Sequence, residues 1–365
     1  MAERWPILLM VRQLHYGGCE RDLTRIATGL DPSRFDVHVG CFDPEGSLRK
    51  EIEAAGIPVT VFPVRSFASP SVLRAGREFG EYVRRHGIRL VHAYDYPTAM
   101  FVAPAGKFYR VPAVLISQLS YRTLRRPSER RVLRICDRLA DIIVVNCHAL
   151  ERHMIADEGV PAERLYLCYN GVDTGVFYPG PRPAGGRVVI GSVCVLRPEK
   201  RMDLLLDAFS RARVLAPGIE LLIVGDGPLL PQLEKQRDAL GLGDSCRFVA
   251  ANANVAEWLR RMDIFVLPSS SEAFSNALLE AMACGCAPVG SRVGGMPELI
   301  EHGERGFLFE SGNREDLVLR LSELVRDPAL RARFSQAAAD FARETLPMER
   351  AVATMARLYE RMLEA

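Results

Sequence analysis

Short apolar runs alternate with amphipathic stretches along almost the whole chain, and that rhythm starts twice. In the first half Ile7–Val11, Asp36–Cys41, Val59–Val61, Leu90–Ala93, Ala113–Ile116, Ile142–Asn146 and Leu165–Cys168 read as strands. Between them Glu20–Leu30, Leu48–Ala55, Leu73–His86 and Arg130–Leu139 read as helices. Strands separated by helices pair in parallel, because a parallel neighbour is reached only by a crossover. Pro179–Gly186 then reads Pro-Gly-Pro-Arg-Pro-Ala-Gly-Gly, a linker composition. Beyond it strands recur at Val188–Val193, Glu220–Val224, Cys246–Val249, Ile264–Leu267 and Ala287–Gly290. The expected fold is α/β, with two Rossmann-like domains over 1–180 and 181–346 facing across a cleft. A C-terminal helix over 347–365, after Pro347, is expected to return to the first domain. Open parallel sheets take ligands at the carboxyl ends of their strands, so chemistry is sought there.

Composition supports two cores. A domain typically takes about 100–200 residues, and this chain has 365, of which 48 % are hydrophobic. The formal net charge of +2 points to no partner by itself. Nine cysteines, none in a Cys-x-x-Cys pair, read as buried reduced thiols of a reducing compartment. The first apolar stretch, Trp5 to Val11, is too short to span a membrane and no small-residue cleavage site follows it. A cytoplasmic protein is expected, with at most a peripheral contact on the inner membrane face.

The densest chemical signal is Pro268-Ser-Ser-Ser-Glu272-Ala-Phe-Ser-Asn-Ala-Leu-Leu-Glu280-Ala-Met-Ala-Cys-Gly285, which follows the run Ile264–Leu267. Ser275 or Asn276 can cap a helix and Gly285 can end it. Glu272 then sits in the loop before the helix and Glu280 inside it. The free N–H groups of such a helix start, with its dipole, suit a diphosphate. Carboxylates accept hydrogen bonds from paired sugar or ribose hydroxyls. Spacing alone leaves Glu280 equally readable as a surface helix residue and Glu272 as a loop charge. Arg197 and Lys200 follow the run Val188–Val193. A fixed pair of cations there would stabilise a departing nucleoside diphosphate without a metal. A surface salt-bridge role is the plain alternative. No Asp-x-Asp stands at a strand end, and no His or carboxylate cluster has ligand spacing, so no metal and no cofactor is expected.

These stretches together resemble the family-4 glycosyltransferases, retaining enzymes of the two-Rossmann-domain GT-B fold. The resemblance rests on Glu272 and Glu280 with Glu-Ala-Met-Ala-Cys-Gly, on Gly294-Gly295-Met-Pro297-Glu298 and on Gly306-Phe-Leu. Asn170-Gly-Val-Asp173, Leu196-Arg-Pro-Glu-Lys200, Asp203-Leu-Leu-Leu-Asp-Ala-Phe209, Gly225-Asp-Gly-Pro228 and the early Gly17-Gly18-Cys-Glu20 extend it. It is dense from about 165 to 310 and sparser before. It implies that Glu272 contacts the donor sugar's hydroxyls and Glu280 the nucleotide ribose. Main-chain groups of Phe274, Ser275 and Asn276, with Gly225 and Gly18, fall on the donor side, and Gly17 on the donor or acceptor side. Read alone, Gly17 and Gly18 are as well explained by a plain turn.

The chain departs from the family pattern at three places. Val195 stands where an arginine usually precedes the lysine by five residues, and Arg197 is expected to supply that charge. Gln118 and Tyr94 stand where histidines are common. No general base is assigned. His92, Asp95 and Gln118 remain cleft or acceptor candidates, with a buried structural histidine as the other reading of His92. Retention need not require a base, because the leaving phosphate can take the acceptor proton.

The expected function is therefore a retaining, metal-independent glycosyltransferase using a nucleotide-sugar donor. The alternatives are a sugar-nucleotide epimerase on the same scaffold and an inactive donor-binding subunit. Arg122, Arg125, Arg126, Arg130, Arg131, Arg134 and Arg138 form a basic run interrupted by Pro127. A helix from about Ser128 would carry Arg130, Arg131, Arg134 and Arg138 on one face, with Val132, Leu133, Ile135 and Leu139 packed on the sheet. A solvated basic face is one reading. The other is an anionic membrane surface, or an anionic or lipid-linked glycan acceptor. Nucleic acid is not expected, since aromatics are not interleaved with the charges.

Overall fold

The structure, a computed structural model, describes residues 4–181, 187–250 and 254–364. The chain divides into two compact units, residues 1–171 with 348–365, and 172–347. The crossing thus falls at Gly171/Val172 rather than at 180, and Arg182 to Gly186 of the expected linker lie outside the described residues.

The first unit runs β1 (Trp5–Val11), α1 (Gly18–Gly29), β2 (Phe35–Cys41), α2 (Leu48–Ala54), β3 (Val59–Val61), α3 (Ser71–His86) and β4 (Leu90–Ala93). It continues α4 (Tyr96–Phe108), β5 (Ala113–Gln118), α5 (Pro127–Leu139), β6 (Ile142–Val145), α6 (His148–Ala156) and β7 (Leu165–Leu167). The seven strands pair in parallel in the order β3-β2-β1-β4-β5-β6-β7. β1 is fully buried from Ile7 to Val11, as a strand covered on both faces must be. The C-terminal helix, Met348–Glu364, joins this core through Met355, Leu358, Tyr359 and Leu363. Those spacings of three and four make one helical stripe, and a fully buried leucine there contributes about 1.5–3 kcal/mol. Arg34 pairs with Glu360 at 2.5 Å, and Arg89 donates to the Leu363 carbonyl at 2.8 Å, fixing that helix's end.

The second unit runs β8 (Val188–Val193), α7 (Met202–Leu215), β9 (Ile219–Val224), α8 (Leu230–Ala239), β10 (Cys246–Val249), α9 (Val255–Arg260) and β11 (Ile264–Leu267). It ends with α10 (Asn276–Ala283), β12 (Ala287–Ser291), α11 (Met296–Leu299), β13 (Phe307–Phe309), α12 (Arg314–Arg326) and α13 (Pro328–Thr345). Its six parallel strands are ordered β10-β9-β8-β11-β12-β13. β13 was not expected as a strand. Its three residues, Phe307-Leu-Phe, are too few to show a period, although all are buried.

In each sheet the order reverses beside the first strand, between β1 and β4 and between β8 and β11. Such a switch point leaves a crevice at the strands' carboxyl ends. Among the described residues no cysteine forms a disulfide. Among the described residues no helix is long and apolar enough to cross a membrane.

Candidate active site at the second unit's switch point

The loop after β8 carries Arg197 and Lys200, and the loop after β11 carries Glu272, so these loops flank the β8/β11 switch point. Lys200 Nζ donates to Glu272 Oε2 at 2.5 Å, with side chains 20 % and 13 % exposed. Ser269, fully buried, donates to the same oxygen at 3.3 Å. Burial works against the Lys200 ammonium. Glu272's charge and hydrogen bond, helped by Cys194 and Glu199, outweigh it and raise the pKa above the ordinary lysine value. The same burial raises the Cys194 thiol to about 12, so it is not a nucleophile here.

Backbone bonds lock the loops. The Ser270 N–H donates to the Glu199 carbonyl at 2.8 Å, and the Ser291 hydroxyl donates to the Ser269 carbonyl at 2.5 Å. The Gly295 N–H donates to the Ala273 carbonyl at 2.8 Å, tying the Gly294-Gly295 segment to the Glu272 loop. Gly225 takes φ +151°, and a Cβ there would stand 1.9 Å from the Cys194 carbonyl oxygen. Only glycine lets the β9 loop lie this close to the β8 loop. Arg201 takes left-handed φ of +50° directly after Lys200, an uncommon state for a side-chain-bearing residue. Its guanidinium is held by Asp203 at 3.1 Å.

Ser275 caps α10, accepting from the Leu278 N–H at 3.2 Å. Phe274 and Ser275 are buried and Asn276 half-buried at that helix start. Glu280 lies in the second turn of α10, only 2 % exposed. Arg197 is exposed and its side chain makes no ion pair among the described residues, while Val195 is 48 % exposed.

The first unit corrects several expectations. His92 is fully buried: Nδ1 meets the Tyr359 hydroxyl at 2.7 Å and Nε2 the Ser117 hydroxyl at 2.9 Å. Burial pulls it down to about 3, so it is a neutral cross-brace between β4, β5 and the C-terminal helix and not a cleft contact. Asp95 caps α4. Its Oδ1 accepts from Thr98 N at 2.9 Å and Thr98 Oγ1 at 2.7 Å, and its Oδ2 accepts from Arg12 N at 2.8 Å. Burial raises its pKa against those bonds. Gln118 is 8 % exposed and is spent on Arg122 Nε at 3.0 Å and on the Ser120 carbonyl. Gly17 precedes α1, where a Cβ would meet only the movable end of the Glu20 side chain. Gly18 opens α1.

The basic run also divides differently. Arg122 is 1 % exposed and forks onto Asp137 at 2.6 and 2.7 Å. The Glu158 carboxylate, with no exposed surface, takes Arg134 at 2.8 Å and has Arg122 and Arg130 at 3.8 Å. α5 starts at Pro127, and Val132 and Ile135 face outward, 43 % and 55 % exposed, instead of packing on the sheet. Leu133, Cys136 and Asp137 face inward. Sequence reasoning missed Ser269 and Ser291, the positioning groups behind Glu272. The serine run 269–271 before Glu272 was the signal for Ser269, and nothing local marks Ser291. Nothing local marks Arg122 as buried.

Comparison with known proteins bears on these loops. A family model described as glycosyltransferase family 4 matches residues 16–176, and one described as glycosyl transferases group 1 matches 180–341. N-acetyl-alpha-D-glucosaminyl L-malate synthase of Bacillus anthracis is 28 % identical over 305 residues, 80 % of this chain and 79 % of the relative. D-inositol 3-phosphate glycosyltransferase of Mycolicibacterium smegmatis is 31 % identical over 228 residues, 58 % of this chain and 51 % of its own length. The chain thus spans about half the length of that second relative. Among solved structures, Anabaena HepE in complex with UDP and glucose superposes with a TM-score of 0.85 at 23 % identity, over 99 % of this chain and 100 % of that one. The two family models divide the chain close to where its two units do and between them take in the loops around Lys200 and Glu272; the chain belongs to the family-4 glycosyltransferases and has their GT-B fold.

Proposed function

We propose that the protein moves a sugar from a nucleotide diphosphate sugar to an acceptor hydroxyl, with retention and without a metal. The donor is held at the strand ends of the second unit. The observation that carries this reading is the Lys200–Glu272 pair at the β8/β11 switch point, with the Ser275-capped start of α10 following the same loop. Lys200, Arg197 and the α10 N–H groups neutralise the diphosphate. Glu272 accepts sugar hydroxyls and Glu280 the ribose hydroxyls. The HepE structures, described with UDP, glucose and UDP-glucose, make uridine nucleotides the first to try.

In the transfer, the bond from the sugar's anomeric carbon to the phosphate oxygen breaks as the acceptor oxygen bonds that carbon on the same face. The acceptor's proton passes to the departing phosphate. No side-chain base is then required, which suits His92, Asp95 and Gln118 being spent on structural bonds.

The first unit takes the acceptor, an anionic or lipid-linked glycan. Arg131, Val132, Arg134, Ile135 and Arg138 on the exposed side of α5 interleave cations with aliphatics, as an interfacial helix does. On this reading the protein works in the cytoplasm against an anionic membrane face.

The test screens UDP, GDP and ADP sugars by thermal shift. Transfer from the tightest donor to a lipid extract and to sugar phosphates is then followed by NMR at the anomeric carbon. Retained configuration and unchanged rate in chelator are expected. An inverted product overturns retention, and loss of rate in chelator that magnesium or manganese restores overturns metal independence. Donor turnover to an epimer without acceptor would replace transfer by epimerisation.

A further inference from the structure

We propose that Glu272 competes with the donor's diphosphate for Lys200 and makes the site prefer the intact sugar nucleotide over the nucleoside diphosphate left after transfer. The inference rests on the donor-site reading above. Lys200 holds an anion of the chain's own, the Glu272 carboxylate, at 2.5 Å. A diphosphate reaching Lys200 competes with that carboxylate. The carboxylate is unevenly used: Oε2 accepts from both Lys200 and Ser269, while Oε1 has no hydrogen-bond partner among the described residues. Lys200 uses one of three ammonium donors on another side chain. Both groups therefore keep capacity on their open sides.

The loops do not depend on the pair. Glu199 and Ser270 are tied through the backbone at 2.8 Å, and the Ser270 hydroxyl reaches the same carbonyl at 3.3 Å. Ammonium and carboxylate can part while the loops stay together.

The two ligands then differ in what they leave behind. A bare nucleoside diphosphate takes Lys200 but abandons a mostly buried carboxylate beside added negative charge, which is costly. A sugar nucleotide takes Lys200 with its phosphate and gives hydroxyl donors to Glu272, so both partners are compensated. Once the sugar has left, Glu272 loses its donors and takes Lys200 back. The nucleotide is released by the group that had held the sugar, at a step that often limits turnover.

Calorimetry on the full chain tests this with UDP, GDP, ADP and their glucose conjugates. The proteins are wild type, Glu272→Gln, Lys200→Met and the double variant, each checked for its unfolding midpoint. The nucleoside diphosphate that wild type binds best should bind Glu272→Gln about tenfold tighter, or about 1.4 kcal/mol, while its glucose conjugate gains nothing. The gain should be clearly smaller in the Lys200→Met background, where only the repulsion between carboxylate and diphosphate is relieved, whatever affinity is left there. A gain of equal size without Lys200 means a general charge effect and overturns the proposal, as does no gain at all. Ser269→Ala, which loosens Oε2 without touching either charge, should shift the diphosphate the same way by less; it serves if Glu272→Gln does not fold. If folded wild type and Glu272→Gln bind no nucleotide and no conjugate, the donor-site reading falls and this proposal with it. If nucleotides bind and sugar is transferred but the gain is missing, only this proposal falls.

Discussion

The two switch points share a topology but differ in what their carboxylates have left to give. At β1/β4, Asp95 accepts from Arg12 N on one oxygen and from Thr98 N and Oγ1 on the other. Both oxygens hold the chain. At β8/β11, Glu272 spends one oxygen on Lys200 and Ser269, and the ammonium it meets has further donors. The same contrast separates two ion pairs: Arg122 forks onto Asp137 in full burial, while Lys200 and Glu272 keep 20 % and 13 % of their side chains open. Topology supplies the crevice twice; unspent bonding capacity makes one of them a candidate site.

The contrast is broken most forcefully at the buried pair. Arg122→Met removes one partner and leaves Asp137 uncompensated, which typically costs about 3–5 kcal/mol. A fall in the melting temperature of about 10 °C is expected, with turnover per folded molecule unchanged. A variant as stable as wild type would mean that the fork contributes little.

The reciprocal change comes next. Lys200→Ala should lower the transfer rate about 10²-fold, as losing a charge-stabilising contact does, with a smaller fall in melting temperature than Arg122→Met, because Glu272 keeps Ser269 and some contact with water. Asp95→Asn should do the opposite. An amide cannot accept with both ends, so one N–H among Arg12 and Thr98 loses its acceptor at a cost of about 1–3 kcal/mol. Donor affinity should hold. Donor binding lost in Asp95→Asn, or a stability loss in Lys200→Ala as large as in Arg122→Met, would erase the distinction between the two crevices.

How much of this was legible follows from the range of each signal. Strand–helix alternation is local, so among the described residues twelve of thirteen strands stood at or within a residue or two of their expected places. β13 escaped because three residues carry no period. The Glu272 loop and the Ser275 cap were readable because strand end, cap and helix are contiguous in sequence. Arg122 was not, because its burial depends on Asp137 and Glu158, which come from α5 and from beyond α6. On α5 the period was right, with Leu133 inward and Arg131, Arg134 and Arg138 outward, but the apolar face was drawn too wide. Val132 and Ile135 were read inward by hydrophobicity, yet Asp137 takes an inward position because Arg122 is there to meet it.

His92 offers a smaller effect with a definite sign. Burial holds its folded pKa near 3, below the unfolded value of 6.5. Between those values the unfolded chain binds a proton that the folded one does not, so stability falls as pH drops from 6.5 toward 3. By about pH 5 this single group should remove about 2 kcal/mol. Urea unfolding across this range should show the loss, and His92→Gln should flatten the slope whatever it does to the absolute stability. An unchanged slope would mean that His92 is already charged in the fold, against its contacts with Tyr359 and Ser117.

The smallest effects are expected on α5, where fixed and free cations lie on one helix. Arg134 is held by Glu158 at 2.8 Å, whereas Arg131 and Arg138 are exposed on the face that carries Val132 and Ile135. A basic side chain near an anionic bilayer adds about fivefold to binding, but only where its charge is not already neutralised. Arg131→Gln and Arg138→Gln should therefore each weaken co-sedimentation with anionic vesicles about fivefold. Arg134→Gln should weaken it less and lower the melting temperature instead, because Glu158 loses its closest partner. Ile135→Ser should weaken binding at every salt concentration, since insertion of an aliphatic side chain is not screened, while the arginine effects fade as salt rises. Equal and negligible binding to neutral and anionic vesicles at low salt would remove the membrane contact. The exposed arginines would then be tested against an anionic acceptor by charge reversal at Arg131 and Arg138. Equal losses at Arg131 and Arg134 would show that Glu158 does not neutralise its partner, and the division between fixed and free charge would fail on α5.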